Sequence, residues 1–329
     1  MAAPPGLDGA ASGPKPRAPG GALKTGAEQR EKKRAKPLPP ELLKQLRAIE
    51  IRTRRMANEQ LTGTYSSSFK GQGLSFREVR AYNPGDDIRW IDWNVSARMS
   101  ETYVKVFVEE REMTVMLVVD LSASEQWGTV RASKARVAAE ISALCAFSAI
   151  KNNDRVGLVL GTEVIEKLLP PKKGEKHVLR VIREILGFEP RYTGTNLELA
   201  LSTLVKVAKR KSVAFVISDF FATGFERALA LAAAKHDVIP IMLVDPRDEE
   251  IPDVGLATFE DLETGEDVVV DTGDPKVREH YKKSMKALRK EREKLFQKLS
   301  LDAVIVRTDG SFVDPIRKLF QMRARRIHR

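Results

Sequence analysis

Cysteine is almost missing from this chain. Of 329 residues only Cys145 is one, so no intrachain disulfide can form, and a reducing, cytoplasmic compartment is expected. Long apolar runs are missing as well. No stretch approaches the ~18–20 apolar residues that a membrane-spanning helix needs, so no membrane span is predicted. The first residues, Met1-Ala2-Ala3-Pro4-Pro5, lack the ~7–15-residue apolar stretch of a secretory signal. Familiar catalytic signatures are absent too: there is no Gly-x-Ser-x-Gly elbow, no phosphate-cradling glycine loop and no His-Glu-x-x-His helix. His177, His236, His280 and His328 fall on predicted helices or their ends. Cys145 lies in an apolar helical stretch, where an inert core thiol is expected rather than a nucleophile. These absences argue against an enzyme.

What charge there is sits at the ends. The net charge is +11, but residues 1–40 carry +5 and residues 317–329 carry +6, which leaves 41–316 formally neutral. Neither basic arm interleaves aromatics with its charges, as a base-stacking platform would, so solvated tails are expected and no specific nucleic acid. Residues 1–38 are rich in Pro, Gly, Ala and Lys and poor in large apolar residues, a composition that predicts a disordered tail.

The rest reads as two parts. Residues 39–112 begin with a helix after Pro39-Pro40, striped roughly by Leu42, Leu43, Leu46, Ile49 and Ile51. A β-rich element follows, with a type II turn at Asn83-Pro84-Gly85-Asp86. Arg89-Trp90-Ile91-Asp92-Trp93 alternates as a strand would, and Tyr103 to Val108 reads as another strand. In residues 113–329 strands and helices alternate: strands near 114–119, 155–160, 163–168, 212–218, 238–244 and 303–306, and helices near 130–150, 175–187, 196–209, 224–235, 275–299 and 311–327. A shorter pair near 257–271 reads as an inserted hairpin. The order predicts an α/β fold with a doubly wound, mostly parallel sheet.

Two carboxylates stand out in that order. Asp120 follows the apolar run Val115 to Val119, and Asp219 follows Val213 to Ser218. Both are predicted at the carboxyl ends of buried parallel strands, where open α/β sheets bind ligands at the point of strand-order reversal. Two carboxylates at close range need a cation or a shared proton. Ser122 and Ser124 follow Asp120 at spacings that put their hydroxyls beside it, and Tyr192-Thr193-Gly194-Thr195-Asn196 offers two more. An all-oxygen set suits a hard divalent cation, Mg2+ first, with Mn2+ or Ca2+ as alternatives.

Asp-x-Ser-x-Ser after a first strand, a Thr before a middle helix and an Asp after a fourth strand resemble the metal-ion-dependent adhesion site of von Willebrand factor A domains. A narrower resemblance is carried by Arg80-Ala81-Tyr82-Asn83-Pro84-Gly85-Asp86-Asp87-Ile88-Arg89-Trp90-Ile91-Asp92-Trp93, with Ser96-Ala97-Arg98 and Glu109-Glu110. This block is similar to the bacterial domain of unknown function 58 family, over roughly residues 60–245. That resemblance implies a von Willebrand factor A-like fold and association with MoxR-type AAA+ ATPases. Matched to the adhesion-site motif, the metal residues are Asp120, Ser122, Ser124, Thr195 and Asp219. The motif also selects Thr195 over Thr193. Ser218-Asp219-Phe220 departs from the commoner Thr-Asp-Gly by losing the glycine.

The function expected on this basis is a metal-dependent protein-interaction module, an adaptor whose partner, a MoxR-type AAA+ ATPase or its client, presents an acidic side chain. The alternative is a hydrolase using the same cation as a Lewis acid. For the Arg80–Arg98 block, Trp90 and Trp93 favour a buried salt-bridge network over an exposed partner surface. Asp245, also at a strand end, is expected to cap the turn before Pro246.

Overall fold

The computed structural model describes residues 40–61, 65, 67–69, 73–110, 112–121, 133–192, 194–260 and 267–327. The tail of residues 1–38, the candidate ligands Ser122 and Ser124, and Thr193 lie outside them.

Helix α1 (Pro40–Met56) starts on a proline, whose missing N–H costs nothing at a first helical position, and runs into a π turn over Ala57–Leu61. Its Ile49, with Ala57 and Leu61, enters the core. Strands β1 (Gly73–Ala81) and β2 (Tyr103–Glu110) then pair antiparallel. The chain between them turns at Asn83–Asp86. Gly85 there adopts φ +108°, and the Asp86 amide donates to Asn83 O at 3.0 Å, the bond of a type II turn.

The strand expected over Arg89–Trp93 does not form. Ile88–Trp90 is a 3-10 turn and α2 (Trp93–Ser96) a short helix. Two aspartates override the alternation by capping. Asp87 accepts from the Arg89 amide, and Asp92 accepts from those of Asn94 and Val95. The buried network expected here is also absent. Trp90 is 41% and Trp93 70% exposed, and Arg80–Asp86 and Arg89–Asp87 are surface ion pairs.

After Met113 the chain builds a mixed α/β body around one central sheet. Its elements are β3 (Thr114–Asp120), α3 (Lys134–Lys151), β4 (Arg155–Gly161), β5 (Ile165–Lys172), α4 (Glu175–Leu186), α5 (Leu197–Val207), β6 (Val213–Ser218), α6 (Glu226–Lys235), β7 (Asp237–Val244), α7 (Pro246–Glu249), β8 (Leu256–Glu260), β9 (Asp267–Asp271), α8 (Pro275–Lys298), β10 (Val304–Arg307) and α9 (Val313–Ile327). The sheet order is β10-β7-β6-β3-β4-β5, parallel except where β5 turns back on β4. β8 and β9 form a separate antiparallel pair.

The central strands are apolar at every position because both faces are covered. Along β3, Val115, Leu117 and Val119 enter one core, with α1, α3, α4 and α9, whereas Met116 and Val118 enter the other, with α5, α6 and α8. Helix α3 lies almost wholly inside, with fourteen of its eighteen residues buried. Strand order reverses between β3 and β6: from β3 the chain proceeds to β4 on one side, and it returns to β6 on the other. At such a point the loops leaving the two strands diverge and open a crevice at their carboxyl ends.

Candidate functional site

Asp120 is the last residue of β3, and Ser218 is the last of its neighbour β6. The Ser218 hydroxyl donates to Asp120 Oδ2 at 2.9 Å, which ties the two strand ends together, and Asp219 follows directly. Asp120 and Asp219 are 5% and 3% exposed. The crevice therefore holds two buried carboxylates, the pair that the strand ends predict.

The β6 loop is built to present Asp219. Asp219 Oδ1 accepts the Phe221 amide at 3.1 Å, and Ser218 Oγ accepts that of Phe220 at 3.0 Å. Phe220 takes φ +59°, the left-handed conformation that a glycine would adopt without strain. Packing offsets the strain. The Phe220 ring is fully buried against Phe225 and Phe296, at centroid distances of 5.8 and 5.1 Å. Helix α8 clamps the same loop: Arg292, 4% exposed, donates to Phe220 O at 3.1 Å and to Ala222 O at 3.0 Å.

Two further loops reach the same edge. The Leu121 amide donates to Gly161 O at 3.1 Å, and the Asn196 amide to Thr162 O at 2.9 Å. β4 thus laces the Thr195 loop to the end of β3. Thr195 is half-buried.

The structure adds groups that the motif does not contain. Lys134, at the start of α3 and 2% exposed, puts Nζ 3.0 Å from Asp219 Oδ2 and 2.9 Å from Asp248 Oδ2, and 4.9 Å from the centre of the Phe221 ring. Asp248 lies on α7, and its carboxylate also accepts the Asp245 amide at 2.9 Å. Burial lifts Asp248 above its ordinary carboxylate value, against the opposing pull of Lys134. One signal for Lys134 is present in the sequence. A cation in the first turn opposes the helix dipole, so a lysine there calls for an acidic partner. Nothing local names the partner, which lies 85 residues away.

Asp245 caps α7, accepting from the Arg247 amide and from Thr308 Oγ1, the latter at 2.7 Å. His177 bonds Val156 O and His236 bonds Ser212 Oγ, both away from the crevice, and burial lowers the basicity of each. Burial also pushes the Cys145 thiol up to about 12, so it is a poor nucleophile. A cleft of about 390 Å³ opens beside Asp219, between the β6 and β7 ends and α8.

Among the described residues, the carboxylates of Asp120 and Asp219 and the Thr195 loop bring oxygen donors to this edge, the donor type that hard divalent cations prefer. Lys134 places a positive charge on Asp219 in the structure. The family described as protein of unknown function DUF58 matches residues 78–291. The chain belongs to that family. An uncharacterized protein of Mycobacterium tuberculosis is 30% identical over 290 residues, covering 87% of this chain and 91% of that one, and a Mycobacterium bovis protein matches to the same extent. YeaD of Bacillus subtilis is 29% identical over 108 residues, 32% of this chain and 25% of YeaD. Among solved structures, BatB from Bacteroides thetaiotaomicron overlays with a TM-score of 0.40 at 18% identity, covering 66% of this chain and 98% of BatB. A von Willebrand factor type A protein from Catenulispora acidiphila gives 0.38 at 13% identity, covering 68% of this chain and 44% of that one.

Proposed function

We propose that this DUF58 chain is a cytoplasmic, metal-dependent protein-interaction module with a von Willebrand factor A-like body. Asp120, Ser122, Ser124, Thr195 and Asp219 would hold one divalent cation, Mg2+ in the first instance. The observation that carries the reading is the junction of β3 and β6, where the Ser218–Asp120 bond of 2.9 Å places two buried carboxylate-bearing loops side by side at the strand-order reversal. Such a cation supplies an electrophilic centre with replaceable water. The protein contributes the dry, preorganised cradle: Ser218 orients Asp120, and the Phe221 amide orients Asp219.

A ligand set built mainly of neutral oxygens leaves such a cation open to one more anion. The partner is accordingly one that presents an acidic side chain. From the family resemblance it is a MoxR-type AAA+ ATPase or its client, and the chain acts as an adaptor. Pull-down of a purified MoxR-type ATPase tests this, with and without EDTA, using wild type and Asp120→Ala. Capture is expected from wild type with Mg2+ and is lost on chelation and in the variant. Capture unchanged by both treatments contradicts the metal-bridged mechanism.

A further inference from the structure

Lys134 is in an expensive place. It is the first residue of α3, directly after the Ser133 cap, where the helix dipole disfavours a cation. Its ammonium is also withdrawn from water, which costs free energy unless partners replace the hydration. Among the described residues, Asp219 Oδ2, Asp248 Oδ2 and the face of Phe221 do so. Only Asp219 of these belongs to the adhesion-site motif. Asp248 and Phe221 give the same ammonium a second seat just outside it.

We propose that Lys134 is a tethered cation that competes with the divalent ion for Asp219 and is left on Asp248 when the ion binds. The proposal rests on the metal reading above and adds a control to it. An ammonium and a divalent ion on one carboxylate repel each other strongly at the low effective dielectric of a buried site. The two seats make exchange cheap. Nζ already lies 2.9 Å from Asp248, so leaving Asp219 requires a small shift of a flexible four-carbon stem, with no return of the charge to water. Asp248 is held ready for this. Its carboxylate is fastened to the Asp245 amide by the capping box of α7. Tyr281 of α8, whose pKa burial raises, also feels the charges of Asp248 and Lys134. The internal ammonium thus satisfies Asp219 in the ion-free protein and lowers the ion's apparent affinity.

The opposite role is also physically possible. A lysine that merely orients Asp219 would strengthen ion binding, so the sign of the mutational effect decides between them. Calorimetric titration of MnCl2 into the full chain compares wild type, Lys134→Met and the charge-balanced double variant Lys134→Met/Asp248→Asn, each checked by thermal melting. The double variant removes one cation and one anion together, which separates competition from a general change in local charge. Competition predicts Mn2+ binding tighter than wild type by on the order of tenfold in Lys134→Met. It predicts tightening in the same direction for the double variant. If wild type binds Mn2+ and Lys134→Met binds it equally or more weakly, competition is wrong and the metal reading stands. If Lys134→Met does not fold, equal or weaker binding by the double variant is equally decisive. No uptake by any of the folded proteins removes both readings.

Discussion

Asp154 shows how a single buried carboxyl sets a pH dependence away from the candidate site. It is 1% exposed, accepts the Met113 amide at 2.8 Å and the Tyr65 hydroxyl at 3.1 Å, and joins the start of β3 to the first core. Burial outweighs these two bonds and raises its pKa to about 6. The folded protein therefore keeps a proton that the unfolded chain releases near the ordinary aspartate value. Its contribution to stability is complete below about pH 4 and is lost as pH rises toward 6. Asp154→Asn keeps an uncharged group in the same place. Urea denaturation should show the wild type losing stability relative to this variant between pH 4 and 7, by up to about 3 kcal/mol, from ~1.4 kcal/mol per pKa unit. A difference that stays constant across the range contradicts the assignment.

Elements explain what was legible in the sequence and what was not. β3, β6 and β7 could be read as buried parallel strands because helices on both faces demand apolar residues at every position. That pattern also put Asp120 and Asp219 at strand ends. Arg89–Trp93 departs from its period-two pattern because two aspartate side chains capture backbone amides within three residues. Phe220 was opaque for another reason. Its left-handed backbone is sustained by rings and a guanidinium from elements far along the chain. Helix α8, charged along most of its length, buries only Arg292 and Phe296, and both meet the loop after Asp219. Arg292→Ala should therefore strand the carbonyls of Phe220 and Ala222 and leave Glu226 without its guanidinium. A loss of about 2–4 kcal/mol is expected in denaturant melts. A loss below about 0.5 kcal/mol, typical of surface positions, contradicts the clamp.

At the scale of the molecule, one sheet brings distant segments to one edge. β3 and β6 supply the carboxylates, β4 ties in the Thr195 loop, and α3 and α7 add the Lys134–Asp248 pair. The basic C-terminal helix is partly neutralised where it packs. Its Arg323 pairs with Asp237 and Asp302, and Arg326 with Asp302, while Ile316 and Phe320 enter the core. Whether Asp120 and Asp219 hold a cation in the crevice, as proposed, is read directly from the free Mn2+ signal in electron paramagnetic resonance. Titrating Mn2+ into the 329-residue chain should deplete that signal to a stoichiometry of about one ion per chain. Mg2+ should restore it, and Asp120→Ala or Asp219→Ala should abolish the depletion while the protein stays folded. Depletion that survives both substitutions, or none in the wild type, contradicts a cation held by Asp120 and Asp219.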